Sequence, residues 1–244
     1  MSGHSKWNNI KRKKGASDAQ KAKVFTKVAR EISVAVKDGG VDPASNGKLR
    51  DAIAKARACN MPNDNIDRCI KKAAGDGDKN NYEEMLYEGY GPSGVAVIVE
   101  ALTDNRNRTA GDLRHYFDKC GGNLGQNGCV SFLFTQRGVV VIENTDNTLD
   151  ENKVLEDCFD VGAEDVNYEG DMIEVLTAID QVRTVREGLE GRGYTLASAQ
   201  VEYLPATTTS IADEGTAAKM AKLLELLEDN DDVQNVWHNW EDED

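Results

Sequence analysis

The sequence predicts an α+β protein with an N-terminal three-helix bundle and two α/β sandwich domains, one of them ferredoxin-like and inserted in the other. Apolar residues recur at helical spacing in the first 75 residues, whereas short apolar runs typical of strands alternate with helical patterns from residue 95 onward. A polar, Gly-rich segment (GDGDKNN, 75–81) separates the two regions. The expected domains are residues 1–80, residues 81–135 together with 205–244, and residues 136–204.

Three helical patterns predict the bundle. Ser17 begins a capping-box pattern, and Gly39 and Gly40 end the helix that follows it. A second helix is predicted at roughly 44–59 and a third behind Pro62. The apolar stripe of the first helix consists of Phe25, Val28, Ile32, Ala35 and Val36.

The basic residues are concentrated at the N-terminal end of an otherwise acidic chain. The first 75 residues carry 17 Lys and Arg against 7 Asp and Glu, and the remaining 169 carry 12 against 36. Binding of clustered cations to a polyanion is favoured because it releases the counterions of the polyanion. This end is therefore predicted to contact nucleic acid. The candidate contacts in the first 30 residues are Lys6, Trp7, Lys11, Arg12, Lys13, Lys14, Lys23, Lys27 and Arg30.

Trp7 distinguishes the N-terminal arm from a plain basic tail. Residues 2–16 show no apolar periodicity and are expected to be extended, and an aromatic ring among cations suits single-stranded or looped nucleic acid. The alternative is a tail whose Trp7 packs on the bundle. Lys23, Lys27 and Arg30 lie opposite the apolar stripe of the first helix and would continue the charge of the arm.

The region after the Gly-rich segment shows strand patterns. Residues 95–99 and 129–134 are apolar runs, and a helix that begins at Thr109 is predicted between them. Residues 138–204 have the order β-α-β-β-α-β of a ferredoxin-like sandwich. A last helix and a strand at 233–240 are expected to return to the first sheet, which makes the ferredoxin-like unit an insertion.

Two motifs raise the question of phosphate binding. The segment GYGPSG (89–94) matches G-x-G-x-x-G, but a strand instead of a helix follows it, which favours a turn with Gly94 at positive φ. Arg106 and Arg108 stand next to a helix N-terminus, where two guanidiniums suit a phosphate. Ion pairs with local acids are the alternative for these two arginines.

The second and third helices also have the arrangement of a helix-turn-helix. Arg68, Lys71 and Lys72 lie on the exposed side of the third helix, but Asp64 and Asp67 share that side and would repel phosphate. A plain helical hairpin is at least as good an interpretation, and no base-specific contact is predicted.

The sequence contains no pattern typical of a catalytic or cofactor site. The histidines, His4, His115 and His238, are far apart, and the five cysteines form no C-x-x-C pair. We therefore expect a protein without enzymatic activity, metal or cofactor. A signal-peptide pattern and an apolar stretch of membrane-spanning length are both absent from the sequence, so we expect a cytoplasmic protein without membrane or small-molecule partners.

Several longer motifs resemble one protein family. They are GHSKW (3–7), FTK (25–27), GGVDP (39–43), NMP (60–62), EGYGP (88–92), LTDNRNRT (102–109) and DVQNV (232–236). With these motifs the chain is similar to the YebC/PmpR family, whose mitochondrial relative is the translational activator of cytochrome c oxidase. The resemblance implies a three-domain cytoplasmic protein that acts as a DNA-binding transcriptional regulator. A second description of the family implies a ribosome-associated factor that relieves stalling at proline-rich stretches.

Two functions therefore remain open, a DNA-binding transcriptional regulator and an RNA-binding translation factor on the ribosome. The expected partner is DNA in the first case and ribosomal RNA in the second. A basic arm with one aromatic residue favours irregular RNA, and a body with 24 excess acidic groups would be repelled by a second long stretch of duplex. The family descriptions favour DNA.

Overall fold

The computed structural model of the protein describes residues 18–75 and 81–241. These residues divide into two compact units, one from the described parts of Met1–Thr135 and Pro205–Asp244, the other Gln136–Leu204. The predicted α+β class is confirmed, since three helices precede two four-stranded sheets with their own helices. The helices of the bundle and the first sheet fall in the same unit, and a separate domain ending at residue 80 stays a prediction.

Three helices form the N-terminal bundle. They are α1 (Asp18–Gly39), α2 (Gly47–Ala58) and α3 (Asn63–Ala74). The predicted apolar stripe of α1 is confirmed, because four of its residues are buried and Phe25 packs partly buried against them. Gly40, at a φ of 84°, ends α1 as predicted, because a residue without Cβ adopts this conformation at little cost. The predicted arm and Ser17 lie outside the described residues.

Strands and helices alternate after the bundle. In chain order the elements of residues 81–241 are β1 (Glu83–Tyr90), β2 (Ala96–Thr103), α4 (Arg106–Cys120), β3 (Asn123–Leu124), β4 (Phe134–Glu143), α5 (Glu151–Asp160), β5 (Asp165–Glu169), β6 (Met172–Thr177), α6 (Val182–Gly191), β7 (Leu196–Pro205), β8 (Thr209–Ser210), α7 (Glu214–Asp229), β9 (Val233–His238) and β10 (Trp240–Glu241). Short 3₁₀ turns lie at Pro92–Gly94, Ser131–Leu133 and Ile179–Gln181.

The first sheet has the strand order β3-β1-β2-β9. Its central strand β2 pairs antiparallel with both β1 and β9. Helices α4 and α7 pack on one face, where Val97, Phe117 and Leu223 are fully buried. Helix α7 and strand β9 thus complete the sheet that β1 begins, as predicted.

The second sheet belongs to the inserted unit and has the order β5-β6-β4-β7. Its elements follow one another as β-α-β-β-α-β, and α5 and α6 contribute Val154 and Leu189 to a core with Val140 and Ile173 of the sheet. This succession and strand order are those of a ferredoxin-like sandwich, as predicted.

One strand prediction was wrong, and one strand was not predicted. The sequence pattern does not predict β1, because its residues EEMLYEGY lack alternation, yet all eight pair with β2. Residues 129–133 form a loop and a 3₁₀ turn instead of a strand, and β4 begins at Phe134. The Glu88 carboxylate accepts backbone hydrogen bonds from Gly128 (2.7 Å), Val130 (2.8 Å) and Ser131 (2.8 Å), which removes these N–H groups from any strand pairing.

Three further boundaries test the predictions at turns and helix ends. The helix predicted from Thr109 begins at Arg106, because the Asn105 side chain accepts the N–H of Arg108 (3.1 Å) and caps it there. The predicted Pro-Gly turn between β1 and β2 is confirmed, with Gly94 at a φ of 75°. The last strand is shorter than predicted, since β9 ends at His238 and β10 follows separately.

Candidate nucleic-acid interface

The basic face of α1 lies against a turn of opposite charge. Lys23, Lys27 and Arg30 share one side of the helix through their spacing of four and three residues. They contact residues 228–232, which comprise the last two residues of α7 and the connection to β9 and are called the acidic turn below. Lys23 Nζ lies 2.9 Å from Asp229 Oδ1, and Lys27 Nζ donates a hydrogen bond to the Glu228 carbonyl oxygen (2.6 Å).

Arg30 makes the innermost of these contacts. Its Nη1 donates to the backbone oxygen of Asp231 (2.8 Å) and to Oδ1 of Asp232 (2.6 Å), and its guanidinium lies over the ring of Tyr82. The Arg30 and Asp232 side chains are 17% and 6% exposed, whereas those of Lys23 and Asp229 are 43% and 57% exposed. The contact therefore has a buried inner part and an exposed outer part.

Asp232 is the centre of a buried polar cluster. Besides Arg30, its carboxylate accepts hydrogen bonds from Arg108 Nη2 (2.7 Å), from the Thr109 hydroxyl (2.7 Å) and from the Thr103 hydroxyl (3.3 Å). Burial opposes its ionisation, but the hydrogen bonds from Arg108, Thr109 and Arg30 outweigh burial and hold the pKa of Asp232 below its ordinary value. The carboxylate is therefore charged and fully engaged within the protein.

Arg106 and Arg108, in the first turn of α4, form ion pairs. Arg108 binds Asp104 Oδ1 (2.9 Å) as well as Asp232, and Arg106 pairs with Glu83. The sequence left phosphate binding and ion pairs with acids open for these two arginines, and the structure contains the ion pairs. The Arg106 side chain is 62% exposed, and phosphate binding by either arginine stays a prediction.

A second group of cations, on α2 and α3, is open to solvent. Its four members are exposed and form no ion pair with any residue of the described ranges. The group consists of Arg57, Arg68, Lys71 and Lys72. The predicted contacts at positions 6, 7 and 11–14 lie outside the described residues, and all predicted nucleic-acid contacts remain predictions.

In residues 18–75 and 81–241 no group of three His, Cys, Asp or Glu side chains is placed to hold a metal ion. The five cysteines are free thiols, and burial raises the pKa of Cys158 to about 11, so its thiol stays protonated near neutral pH. The same ranges contain no helix with the length and apolar character that crossing a bilayer requires.

Two sequence models of one family together cover nearly the whole chain. Residues 5–76 match the TACO1/YebC protein N-terminal domain, and residues 82–240 match the TACO1/YebC second and third domain. The chain belongs to the TACO1/YebC family. The resemblance found in the sequence motifs is thereby confirmed.

Relatives of similar length carry a common name. A protein of Acetivibrio thermocellus is 58% identical over 240 residues, covering 98% of this chain and 99% of its own, and one of Finegoldia magna is 56% identical over 243 residues, covering 100% of both. Both are named probable transcriptional regulatory protein. The crystal structure of a conserved hypothetical protein from Aquifex aeolicus superimposes with a TM-score of 0.82 at 46% identity, covering 92% of this chain and 91% of that one.

Sequence reasoning missed the residue that organises this surface of the TACO1/YebC chain. Asp232 is the first residue of the motif DVQNV, and nothing in local spacing connects it to Arg108, 124 positions away, or to Arg30, 202 positions away. The one available signal was that an acidic turn and a basic helix occur in one chain. Such charges attract each other as well as external partners.

Proposed function

We propose that this TACO1/YebC chain is a cytoplasmic, non-enzymatic regulatory protein that binds nucleic acid, acting as a DNA-binding transcriptional regulator. The observation that carries the proposal is the charge separation, with 17 Lys and Arg against 7 Asp and Glu in the first 75 residues of a chain whose net charge is −14. The names of the relatives support a role in transcription.

The arm is the proposed primary contact. Positions 11–14 hold four consecutive cations, and each can neutralise one phosphate and release one condensed counterion. Trp7 would add base stacking, which depends little on salt. The cations of α1 stand next in sequence, but the acidic turn already engages them. The described structure therefore supports the arm more than α1 as the first point of contact.

An RNA-binding translation factor on the ribosome is the second candidate. The observation that favours it is the coverage of the α1 face by the acidic turn, which shortens the basic surface that could follow a regular duplex. A short arm with one aromatic residue suits the irregular, partly unstacked segments of ribosomal RNA.

The two candidates differ in the partner that full-length protein selects. Genomic duplex fragments enriched by the protein are compared, at several salt concentrations, with random duplex of equal length, and cosedimentation with ribosomal subunits is measured in parallel. A regulator should prefer the enriched duplex by at least about a thousandfold over random duplex. Cosedimentation with a ribosomal subunit, together with equal affinity for both duplexes, would contradict the role of a transcriptional regulator and support that of a translation factor.

A further inference from the structure

The acidic turn makes contacts with α1 of the kind that a nucleic-acid backbone would make. Lys23 and Lys27 donate to a carboxylate oxygen and a carbonyl oxygen at 2.9 and 2.6 Å, as each ammonium would donate to a phosphate oxygen. The turn contributes the negative charges of Glu228, Asp229, Asp231 and Asp232 within five residues. A phosphate chain approaching this face of α1 would meet like charge.

The inner and outer contacts differ in how readily a phosphate could replace the acidic group of the turn. Lys23 and Asp229 are both about half exposed, and exposed ion pairs of this kind add little to stability and are screened by salt. Asp232 is buried, the Arg30 side chain is only 17% exposed, and Asp232 has three further donors. Separating Arg30 from Asp232 would therefore leave a buried carboxylate without one of its charged partners. Exchange is therefore expected at Lys23 and Lys27 and not at Arg30.

We propose that the acidic turn and the phosphates of nucleic acid compete for Lys23 and Lys27, while Arg30 keeps the turn attached through Asp232. The inference rests on the proposed nucleic-acid binding and concerns its regulation. In the unbound protein the turn occupies the outer part of the α1 face. Nucleic acid held by the arm then displaces Asp229 from Lys23, and the free energy of that displacement lowers the affinity for non-specific duplex.

The test compares two variants of the full chain, Asp229→Asn and Asp231→Asn. Each removes one negative charge from the acidic turn, but only Asp229 pairs with a cation, whereas the exposed Asp231 side chain forms no ion pair with a described residue. The probe is a short random-sequence DNA duplex, and the dissociation constant is measured over a range of salt concentrations. Equal unfolding midpoints of the two variants check that both are folded.

Asp229→Asn should bind the duplex about 2- to 5-fold more tightly than Asp231→Asn at low salt, which corresponds to the contribution of one exposed ion pair. The slope of log affinity against log salt should also be steeper in Asp229→Asn, by up to about 0.9. In the wild-type protein the Asp229 carboxylate takes up a salt cation when Lys23 leaves it for a phosphate, and in the variant this uptake does not occur. In the wild-type protein, hydrogen exchange of the backbone amides of residues 229–231 should become faster when duplex is added.

Each other result has one meaning. If the wild-type protein binds duplex and the two variants have the same affinity and the same slope, the competition is disproved while the proposed function stands. If Asp229→Asn binds the duplex tightly and the wild-type protein does not, the result would support a turn that blocks duplex binding in the wild-type protein. Failure of the wild-type protein and of Asp229→Asn to bind at any salt concentration would overturn both the competition and the proposed function.

Discussion

Asp232 is the residue on which the docking of α1 depends. It takes Arg30 from α1, Arg108 and Thr109 from α4, and Thr103 from the end of β2, and its own backbone oxygen accepts the Leu102 N–H (2.7 Å). The sequence indicated that Arg106 and Arg108 would meet either phosphates or acids, because their charge is visible in the sequence. It could not indicate Asp232, because this partner is brought close only by the pairing of β9 with β2.

Replacement of Asp232 by Asn should destabilise the protein. The substitution leaves Arg30 without the carboxylate that compensates its charge, and removing one member of a buried ion pair costs about 3 kcal/mol or more. Urea unfolding at neutral pH gives the free energy of unfolding. The matched variant Asp231→Asn leaves the side chains of the Asp232 cluster unchanged. Its free energy of unfolding should stay within about 0.5 kcal/mol of wild type. Equal stability of the two variants would show that the cluster does not hold α1.

His238 predicts a loss of stability in mild acid. Burial lowers its pKa to about 4, and its Nδ1 accepts the Trp240 N–H (3.2 Å), a bond that requires an unprotonated nitrogen. The unfolded chain takes up the proton near its ordinary pKa of 6.5, so the stability due to the neutral ring is complete above that pH and is lost as the pH falls toward 4. Between pH 7 and 4.5 wild type should lose about 2 kcal/mol more than His238→Gln. An identical pH dependence of both proteins would contradict the assignment.

At the scale of elements, the sequence predicted helices better than strands. The stripe of α1 is a local property, because every residue of a helix face is fixed by spacing. The strand β1 has no such pattern, and its eight residues are held by backbone pairing with β2. The loop at residues 125–131 was likewise unpredictable, because its conformation depends on Glu88, which lies on β1, 40 positions before Gly128.

Glu88 should be necessary for the loop before β4. Burial raises the pKa of this carboxylate, but three backbone N–H groups outweigh burial and hold it below the ordinary value, so it is charged. In Glu88→Gln an amide NH₂ would face one or more of the backbone N–H donors of Gly128, Val130 and Ser131. The substitution should therefore lower the free energy of unfolding by about 3 kcal/mol and make hydrogen exchange at Val130 and Ser131 faster. The exposed Glu84→Gln on the same strand is the control and should change neither quantity. Unchanged exchange in Glu88→Gln would show that the loop is held in another way.

At the scale of the whole molecule, the distribution of charge decides both the internal and the proposed external contacts. The sequence showed a basic end and an acidic body but could not show that part of the basic end is engaged by the body, because a net charge carries no information on distance. In the described residues Lys23, Lys27 and Arg30 of α1 are engaged, whereas the second group of cations on α2 and α3 forms no ion pair. The central claim is that the four cations at positions 11–14 bind the nucleic-acid backbone.

The most direct test replaces Lys11, Arg12, Lys13 and Lys14 by Gln and measures duplex binding over a range of salt concentrations. If each cation neutralises one phosphate, the slope of log affinity against log salt should fall by about 3 to 4. A control with the same loss of charge replaces Arg57, Arg68, Lys71 and Lys72 by Gln and should lower the slope much less. An affinity and a salt slope equal to those of wild type in the first variant would contradict the account.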